Sequence, residues 1–260
     1  MKTIDINCDM GESFGVYKIA TDEAVMNFIS SANIACGFHA GDPLVMRKTV
    51  KLALENGVGL GAHPGFPDLA GFGRREMNLS LDEIETYVIY QVGALMGMAR
   101  SEGGTLQHVK PHGMLYNMAV KDNRLAEAIA RAIAKVDSNL ILVALASSEF
   151  AEAGKKVGLK VANEVFADRG YNADGSLVAR GTPGAFIKDP KIAAQRVVRM
   201  VKEGKVEAID GTVISFQADT VCLHGDNPDV VTFVKTISQA LEAEGIKLTP
   251  LGQTIGKLGR

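Results

Sequence analysis

Short apolar runs alternate with longer amphipathic segments along the whole chain. Most of the runs end in a polar cluster of Gly, Asp, Asn or Pro, and a segment with helical periodicity follows. Seven strands are predicted at residues 4–7, 32–35, 58–62, 108–110, 140–144, 160–165 and 221–223. Alternating strands and helices predict a parallel sheet with right-handed crossovers.

The polar clusters distinguish between the two common folds of this class. An open, doubly wound sheet gathers its site at one switch point, whereas a barrel builds its site from the ends of many strands. Because polar clusters follow at least six of the predicted strands, we expect an irregular (β/α)7-type TIM-like barrel. No linker or shift in composition divides the chain, so the barrel is expected to form one domain over residues 1–260.

Helix starts are marked by capping residues. Ser80 and Glu83 have the spacing of a capping box, and Asp42 and Asp189 each precede a proline at a predicted first turn. A further helix is predicted at 22–30, and residues 210–216 are predicted to form a hairpin or an extra strand.

Charge and composition exclude several classes of protein. The formal net charge of −2 and a pI near 6.2 give no reason to expect nucleic acid or an anionic membrane as a partner. No stretch of 18 apolar residues is present. Three cysteines without CxxC spacing favour a reduced, cytoplasmic protein, and all three are predicted to be buried.

Four of the five histidines follow predicted strands within polar clusters: His39, His63, His112 and His224. Side chains at the carboxyl ends of barrel strands meet on one rim. Histidine there transfers protons or binds metal ions. The fifth, His108, is predicted at the start of its strand, on the opposite rim, without a role.

Polar residues also alternate along the first predicted strand. Asp5, Asn7 and Asp9 lie on one face, because side chains in a strand alternate with period two. Asp9 lies at the strand exit, where a carboxylate accepts a proton, holds a metal ion or orients a histidine. Capping a loop or pairing with a lysine is the structural alternative.

Cations lie near the same strand exits. An inward-pointing Lys110 needs a counter-charge, which is a substrate carboxylate, a phosphate, or a neighbour such as Asp9 or Glu164. Arg74 and Arg169 lie with glycines in the two longest loops and are predicted to clamp an anion, solvent-exposed loop positions being the alternative.

Strand-exit position gives two sets of candidates. The residues predicted for catalysis are Asp9, His39, His63, Lys110 and His224. The residues predicted for substrate binding are Asn7, Glu12, Asp42, Arg74, His112, Glu164, Arg169 and Asp226. An Asp and two His from separate loops can bind a divalent metal, but no HxxxH, HExxH or CxxC spacing is present. The sequence therefore leaves open whether the site binds a metal ion. No P-loop is present.

Several long segments together resemble the LamB/YcsF family over essentially the whole chain. They are DINCDMGESFG (5–15), NIACGFHAGD (33–42), GAHPGFPD (61–68), GFGRR (71–75), VKPHGMLYN (109–117), EVFADRGY (164–171) and CLHGD (222–226). The resemblance implies a barrel of the glycoside hydrolase/deacetylase type. It also implies ATP as co-substrate for opening 5-oxo-L-proline to L-glutamate, and partner subunits B and C.

Two alternatives remain beside this ATP-dependent 5-oxoprolinase. One is a metal-dependent, deacetylase-like hydrolase acting alone, which the set of Asp and His residues supports. The other is a non-catalytic subunit that binds the small-molecule substrate and presents it to partners. The lack of a P-loop is compatible with it, since ATP would then be bound elsewhere.

Overall fold

The computed structural model describes residues 2–19, 22–223 and 229–255. The strands within them are, in chain order, β1 (Thr3–Met10), β2 (Ser31–Ala35), β3 (Gly59–His63), β4 (Leu106–Val109), β5 (Ile141–Leu145), β6 (Lys160–Phe166), β7 (Lys205–Glu207), β8 (Val213–Ser215), β9 (Thr220–Leu223) and β10 (Lys247–Leu248). Seven of them pair in parallel in the order β1-β2-β3-β4-β5-β6-β9, and β9 pairs with β1 to close the ring. The predicted seven-stranded barrel is confirmed.

Helices flank the barrel, and the described ones are α1 (Asp22–Val25), α2 (Pro43–Glu55), α3 (Leu81–Ser101), α4 (Gly113–Ala119), α5 (Asn123–Val136), α6 (Glu149–Val157), α7 (Pro190–Glu203), α8 (Val230–Ala243) and α9 (Leu251–Thr254). Among them α3 packs against α5, and α7 packs against α8. No helix in the described ranges is long and apolar enough to cross a membrane.

Local sequence explains where the elements begin and which faces they bury. The capping box forms at the start of α3, where the side chains of Ser80 and Glu83 each accept a hydrogen bond from the other's backbone N–H. Asp42 and Asp189 cap α2 and α7, as predicted. Every residue of β5 is buried, which fits a parallel strand covered on both faces.

The structure corrects the limits of several predicted elements. β1 runs to Met10 rather than ending at residue 7, and β3 includes His63. β4 begins at Leu106, so His108 lies within the strand and not at its start. The predicted strand limits differ because polar residues are typical of loops, whereas here they point into a barrel interior that satisfies their hydrogen bonds.

One further predicted element is shorter than expected, and another is confirmed. The helix predicted at 22–30 is the short α1 followed by a 3-10 turn over Met26–Phe28. The extra strand predicted near 210–216 is β8, which forms an antiparallel hairpin with β7 outside the barrel sheet.

Glycine in the barrel wall leaves room for a buried histidine ring. The register pairs Gly61 of β3 with Asn33 of β2 and with His108 of β4. The His108 ring crosses the glycine, and its Nε2 lies 2.8 Å from Asn33 Oδ1. A Cβ atom on Gly61 would lie only 1.9 Å from that Nε2. The hydrogen bond between β2 and β4 therefore depends on a residue without a side chain in β3.

Gly61→Ala is expected to lower the free energy of unfolding by about 2–4 kcal/mol, because the added methyl displaces the His108 ring and breaks its bond to Asn33. Gly93→Ala in α3 is the matched control, since Gly93 is exposed and nothing lies within 4 Å of the added Cβ. Its expected effect is a gain of up to about 1 kcal/mol from helix propensity. Urea unfolding followed by circular dichroism measures both, and equal stabilities of the two variants would contradict the prediction.

Candidate functional site

The polar face of β1 forms the base of the site. Asp5, Asn7 and Asp9 are all buried, and Asp5 lies furthest from the carboxyl end of the strand. The carboxylate of Asp5 accepts hydrogen bonds from the hydroxyls of Ser30, Ser31 and Thr220. Burial raises the pKa of Asp5 to about 6, although the three hydroxyls act in the opposite direction.

Lys110 lies at the centre of the next layer. Its Nζ is 3.0 Å from Asp9 Oδ1 and 3.0 Å from Glu164 Oε1. It also donates to Asn7 Oδ1 at 3.2 Å and to Cys222 Sγ at 2.9 Å. An ammonium has three N–H donors, so these four neighbours account for all of them. The counter-charge predicted for Lys110 is therefore supplied by Asp9 and Glu164 within the protein.

The carboxylates keep this lysine charged. Burial alone lowers the pKa of Lys110, but the charges of Asp9 and Glu164, with the hydrogen bond to Cys222, outweigh it and raise that pKa well above its usual range. Lys110 is therefore a fixed positive charge near neutral pH and not a proton acceptor. Burial raises the pKa of the Cys222 thiol well above its usual range, although Lys110 opposes the shift.

Neutral side chains satisfy the remaining carboxylate oxygens. Tyr116 donates its hydroxyl to Glu164 Oε2 at 2.7 Å, and Asn7 Nδ2 donates to Glu164 Oε1 at 3.1 Å. The Nδ2 group of Asn33 donates to Asn7 Oδ1 at 2.7 Å and to Asp9 Oδ1 at 2.9 Å. The amide orientation of Asn33 thus leaves its Oδ1 to accept from His108 Nε2–H.

Three histidines and a carboxylate form a second cluster beside Asp9. His63 Nε2 lies 3.4 Å from Asp9 Oδ2 and 3.0 Å from His112 Nδ1. Glu12 Oε1 lies 3.7 Å from both His39 Nε2 and His112 Nδ1. One potential ligand atom from each of Glu12, His39, His63 and His112 lies within 4.8 Å of the others.

The three rings have defined orientations. His39 and His112 are stacked, with ring centroids 3.7 Å apart and planes within 2° of parallel. The His63 ring is nearly perpendicular to both. Burial lowers the pKa of His39 and of His112 well below the usual range, so both rings are neutral near pH 7.

Backbone carbonyls fix the tautomers of two of the rings. His63 Nδ1 lies 2.6 Å from the carbonyl of Lys110, and His112 Nε2 lies 2.8 Å from the carbonyl of Phe72. Because a carbonyl oxygen only accepts, each of these nitrogens carries a hydrogen. Both ring nitrogens of His39 are buried without a hydrogen-bond partner in the described part of the chain.

Glycines allow the rings to pack this closely. A Cβ atom on Gly65 would lie 2.6 Å from His39 Nδ1. One on Gly73, where φ is +62°, would lie 2.8 Å from both His112 Cδ2 and His39 Cβ. The glycines in these polar clusters therefore provide space for the histidines.

The site opens through two adjoining cavities. The inner cavity, of about 90 Å³, reaches Asp9, His63, Lys110 and His112. The outer cavity, of about 660 Å³, lies next to it along Met114, Asn117 and Leu177. Three arginines line both cavities: Arg74, Arg169 and Arg180. The inner cavity is thus small, and the outer cavity is several times larger.

Most of the predicted residues come together. The residues that meet at this site are Asn7, Asp9, Glu12, His39, His63, Arg74, Lys110, His112, Glu164 and Arg169. Asp42 does not join them, because its carboxylate caps α2 through Leu44 N and Val45 N and also accepts from Gly15 N. His224 and Asp226 lie outside the described residues. His108 lies within β4 and not at the start of its strand, and its Nε2 donates to Asn33 Oδ1 inside the barrel.

Several residues of the site were not predicted from the sequence. Asn33 and Tyr116 occur in the family's segments, and their signal was a position on the inner face of β2 and in the first turns of α4. Thr220 and Cys222 contact Asn7 and Lys110 only because β9 closes on β1. Arg180 had no signal, because it reaches the site from a long irregular loop. The three cysteines are buried, as predicted.

Comparison with known proteins extends over nearly the whole chain. The model of the LamB/YcsF family matches residues 4–256. The A subunit of the 5-oxoprolinase from Pyrococcus abyssi is 56% identical over 253 residues, which cover 97% of this chain and 99% of that protein.

Solved structures support the same fold. The crystal structure of the lactam utilization protein from Thermus thermophilus matches with a TM-score of 0.91 and 46% identity, covering 95% of this chain and 99% of that one. The peptidoglycan deacetylase PdaC from Bacillus subtilis matches with a TM-score of 0.51 and 13% identity, covering 99% and 92%. At that identity the second match shows the fold alone.

The raised pKa of Asp5 predicts a pH-dependent stability. Because the folded-state pKa of about 6 exceeds the ordinary value of 3.8, the unfolded chain releases this proton first as pH rises. The contribution of Asp5 to the free energy of unfolding is therefore greatest below pH 4 and falls by roughly 3 kcal/mol by pH 7. Asp5→Asn removes this titration, so its free energy of unfolding should rise by roughly 2–3 kcal/mol relative to wild type between pH 4 and pH 7. The assignment would be contradicted if urea unfolding showed that the stabilities of wild type and Asp5→Asn change equally with pH over that range.

Proposed function

The chain belongs to the LamB/YcsF family, and we propose that it is the A subunit of an ATP-dependent 5-oxoprolinase, which converts 5-oxo-L-proline to L-glutamate with hydrolysis of ATP to ADP and phosphate. The relatives it matches are named as one lettered subunit of that enzyme, which implies a multisubunit complex. The proposed partners are subunits B and C. The observation that carries the proposal is the small, arginine-lined cavity above the charged group of Asp9, Lys110 and Glu164.

The chemistry explains why ATP is needed. A five-membered lactam is an unstrained, resonance-stabilised amide, which water attacks slowly. Transfer of the γ-phosphoryl group to the amide oxygen makes the ring carbon electrophilic. A first water then adds to that carbon, the C–N bond breaks and the nitrogen takes a proton. A second water releases phosphate from the resulting acyl phosphate.

Asp9 is the proposed general base. Its Oδ1 is held by Lys110 and Asn33, whereas its Oδ2 faces His63 at the wall of the inner cavity. An oriented carboxylate in this place can accept a proton from a water that adds to the substrate. Lys110 acts electrostatically, because its donors are already used within the protein and do not remain for a substrate phosphate.

The arginines are the proposed anion site. Arg169 donates to the carbonyls of Ala185 and Val178 through Nε and Nη2. A guanidinium has five N–H donors, so others remain for a ligand at the cavity wall. Arg74 and Arg180 line the same two cavities. We assign these three residues to the substrate carboxylate and to the phosphates of ATP.

Asp9→Asn tests the proposed base. In the complex reconstituted from this chain and its B and C partners, ATP-dependent release of glutamate from 5-oxo-L-proline should fall by roughly a thousandfold, since the amide cannot accept the proton. Asp82→Asn on the exposed side of α3 is the matched control and should keep wild-type turnover. Wild-type turnover of Asp9→Asn, with the complex intact by gel filtration, would rule out this role.

Arg180→Ala tests the anion site. Loss of one guanidinium contact should raise KM about tenfold for the ligand whose anionic group it holds. Measuring KM for ATP and for 5-oxo-L-proline separately shows which ligand that is. Arg131→Ala, on the outer face of α5 and paired with Glu127, is the control. Unchanged KM values for both ligands would remove Arg180 from the site.

A divalent metal ion is part of the proposal, because one potential ligand atom from each of Glu12, His39, His63 and His112 lies within 4.8 Å of the others. The same cluster favours a second candidate function, a metal-dependent hydrolase acting alone. The two are separated by an assay of the chain without partners. Hydrolysis of an acetylated sugar that needs no ATP and stops on chelation favours the second; glutamate release only with ATP and the partners favours the first.

A further inference from the structure

Two ring nitrogens with lone pairs face each other at the rim of the barrel. His63 Nε2 and His112 Nδ1 are 3.0 Å apart, and the opposite nitrogen of each ring donates to a backbone carbonyl. In neutral rings the facing nitrogens therefore have no hydrogen between them, and their lone pairs repel unless a cation lies there. Anchoring the far nitrogen to a carbonyl is how proteins orient a metal-binding histidine.

A buried carboxylate completes the surroundings of this pair. Glu12 Oε1 lies 3.7 Å from His112 Nδ1, and Glu12 is 2% exposed. A tetrahedral ion with ligand bonds of about 2.1 Å separates its ligand atoms by about 3.4 Å. The observed separations of 3.0 and 3.7 Å lie on either side of that value. Two histidines and one glutamate form a known ligand set of zinc sites with an open fourth position.

His39 has the right residue type but the wrong orientation for this ion. The lone pair of an imidazole nitrogen lies in the plane of its ring. The planes of His39 and His112 are within 2° of parallel and their centroids are 3.7 Å apart. An ion in the plane of His112 is consequently displaced from the plane of His39 by about the spacing of the stacked rings. Both rings cannot coordinate the same ion in this arrangement.

We infer that the rim holds one zinc-like divalent cation on His63 Nε2, His112 Nδ1 and Glu12 Oε1, and that His39 is not a ligand. His39 instead packs against the His112 ring and fixes its plane. The open position of the ion faces the inner cavity, which His63 and His112 line together with Asp9. The inference rests on the proposed function in that both use this site, but its test requires no turnover.

The experiment is a metal titration of the full chain after removal of bound ions with a chelator. Isothermal titration calorimetry with Zn²⁺ and the visible absorption of Co²⁺ report affinity and ligand set. Wild type should bind one ion. His63→Ala and His112→Ala should each lower the affinity at least about a hundredfold, and Glu12→Gln at least about tenfold. His39→Asn should keep a stoichiometry of one and change the affinity less than about threefold.

Circular dichroism and thermal melting establish that each variant is folded, and His63→Gln replaces His63→Ala if the latter unfolds. Absence of saturable binding to the wild type would overturn the inference, as would an NMR signature of a proton shared by His63 and His112 in the presence of Zn²⁺. Equal losses of Zn²⁺ affinity in His39→Asn and His63→Ala would overturn the assignment of the ligands. Intact metal binding without ATP-dependent turnover in the complex would count against the proposed function alone.

Discussion

A lysine buried between two carboxylates is the interaction on which the rest of the site depends. Removing an ion from water costs several kcal/mol, and only close pairing with additional hydrogen bonds offsets that cost. Lys110 has both carboxylates at 3.0 Å, and amide or hydroxyl groups from Asn7, Asn33 and Tyr116 satisfy their oxygens. β4 lies across the ring from β1 and β9, so the lysine that follows it connects opposite walls of the barrel.

The same residue also organises the histidine cluster. The side chain of Lys110 holds Oδ1 of Asp9, and its backbone carbonyl accepts the Nδ1–H of His63. The tautomer of His63 and the orientation of the Asp9 carboxylate are thus set by one residue, which directly follows β4. Glycines at positions 61, 65 and 73 complete the arrangement, because a side chain at any of them would occupy the place of a histidine ring. Ion pairs of Lys110 hold the base of the site together, and glycines leave space for the histidine rings.

Much of this could be predicted from the sequence, for physical reasons that are particular to a parallel barrel. Period two along β1 placed Asp5, Asn7 and Asp9 on one face, and strand exits gathered His39, His63 and His112. The ends of the strands are harder to predict, because in the sequence a polar residue that faces a hydrogen-bonded interior resembles a loop residue. His108 was misplaced for that reason. Asp42 shows the opposite difficulty, since Asp before Pro signals both a helix cap and a polar cluster, and the structure shows the cap.

Residue type alone cannot assign roles within such a cluster, because roles depend on where donors and lone pairs point. A lysine at a strand exit suggests an anion clamp, yet the hydrogens of Lys110 are already matched by acceptors within the barrel. His39 and His112 are the same residue in similar motifs, but stacking lets only one of their planes contain an ion that also contacts His63. Arg169 differs from Lys110, because its guanidinium retains donors beyond its two contacts to backbone carbonyls. The site therefore has two parts. In its floor, Lys110 is paired with Asp9 and Glu164, and at its rim the facing nitrogens of His63 and His112 carry lone pairs. Asp9 contacts both parts, so the substrate chemistry belongs to the boundary between them.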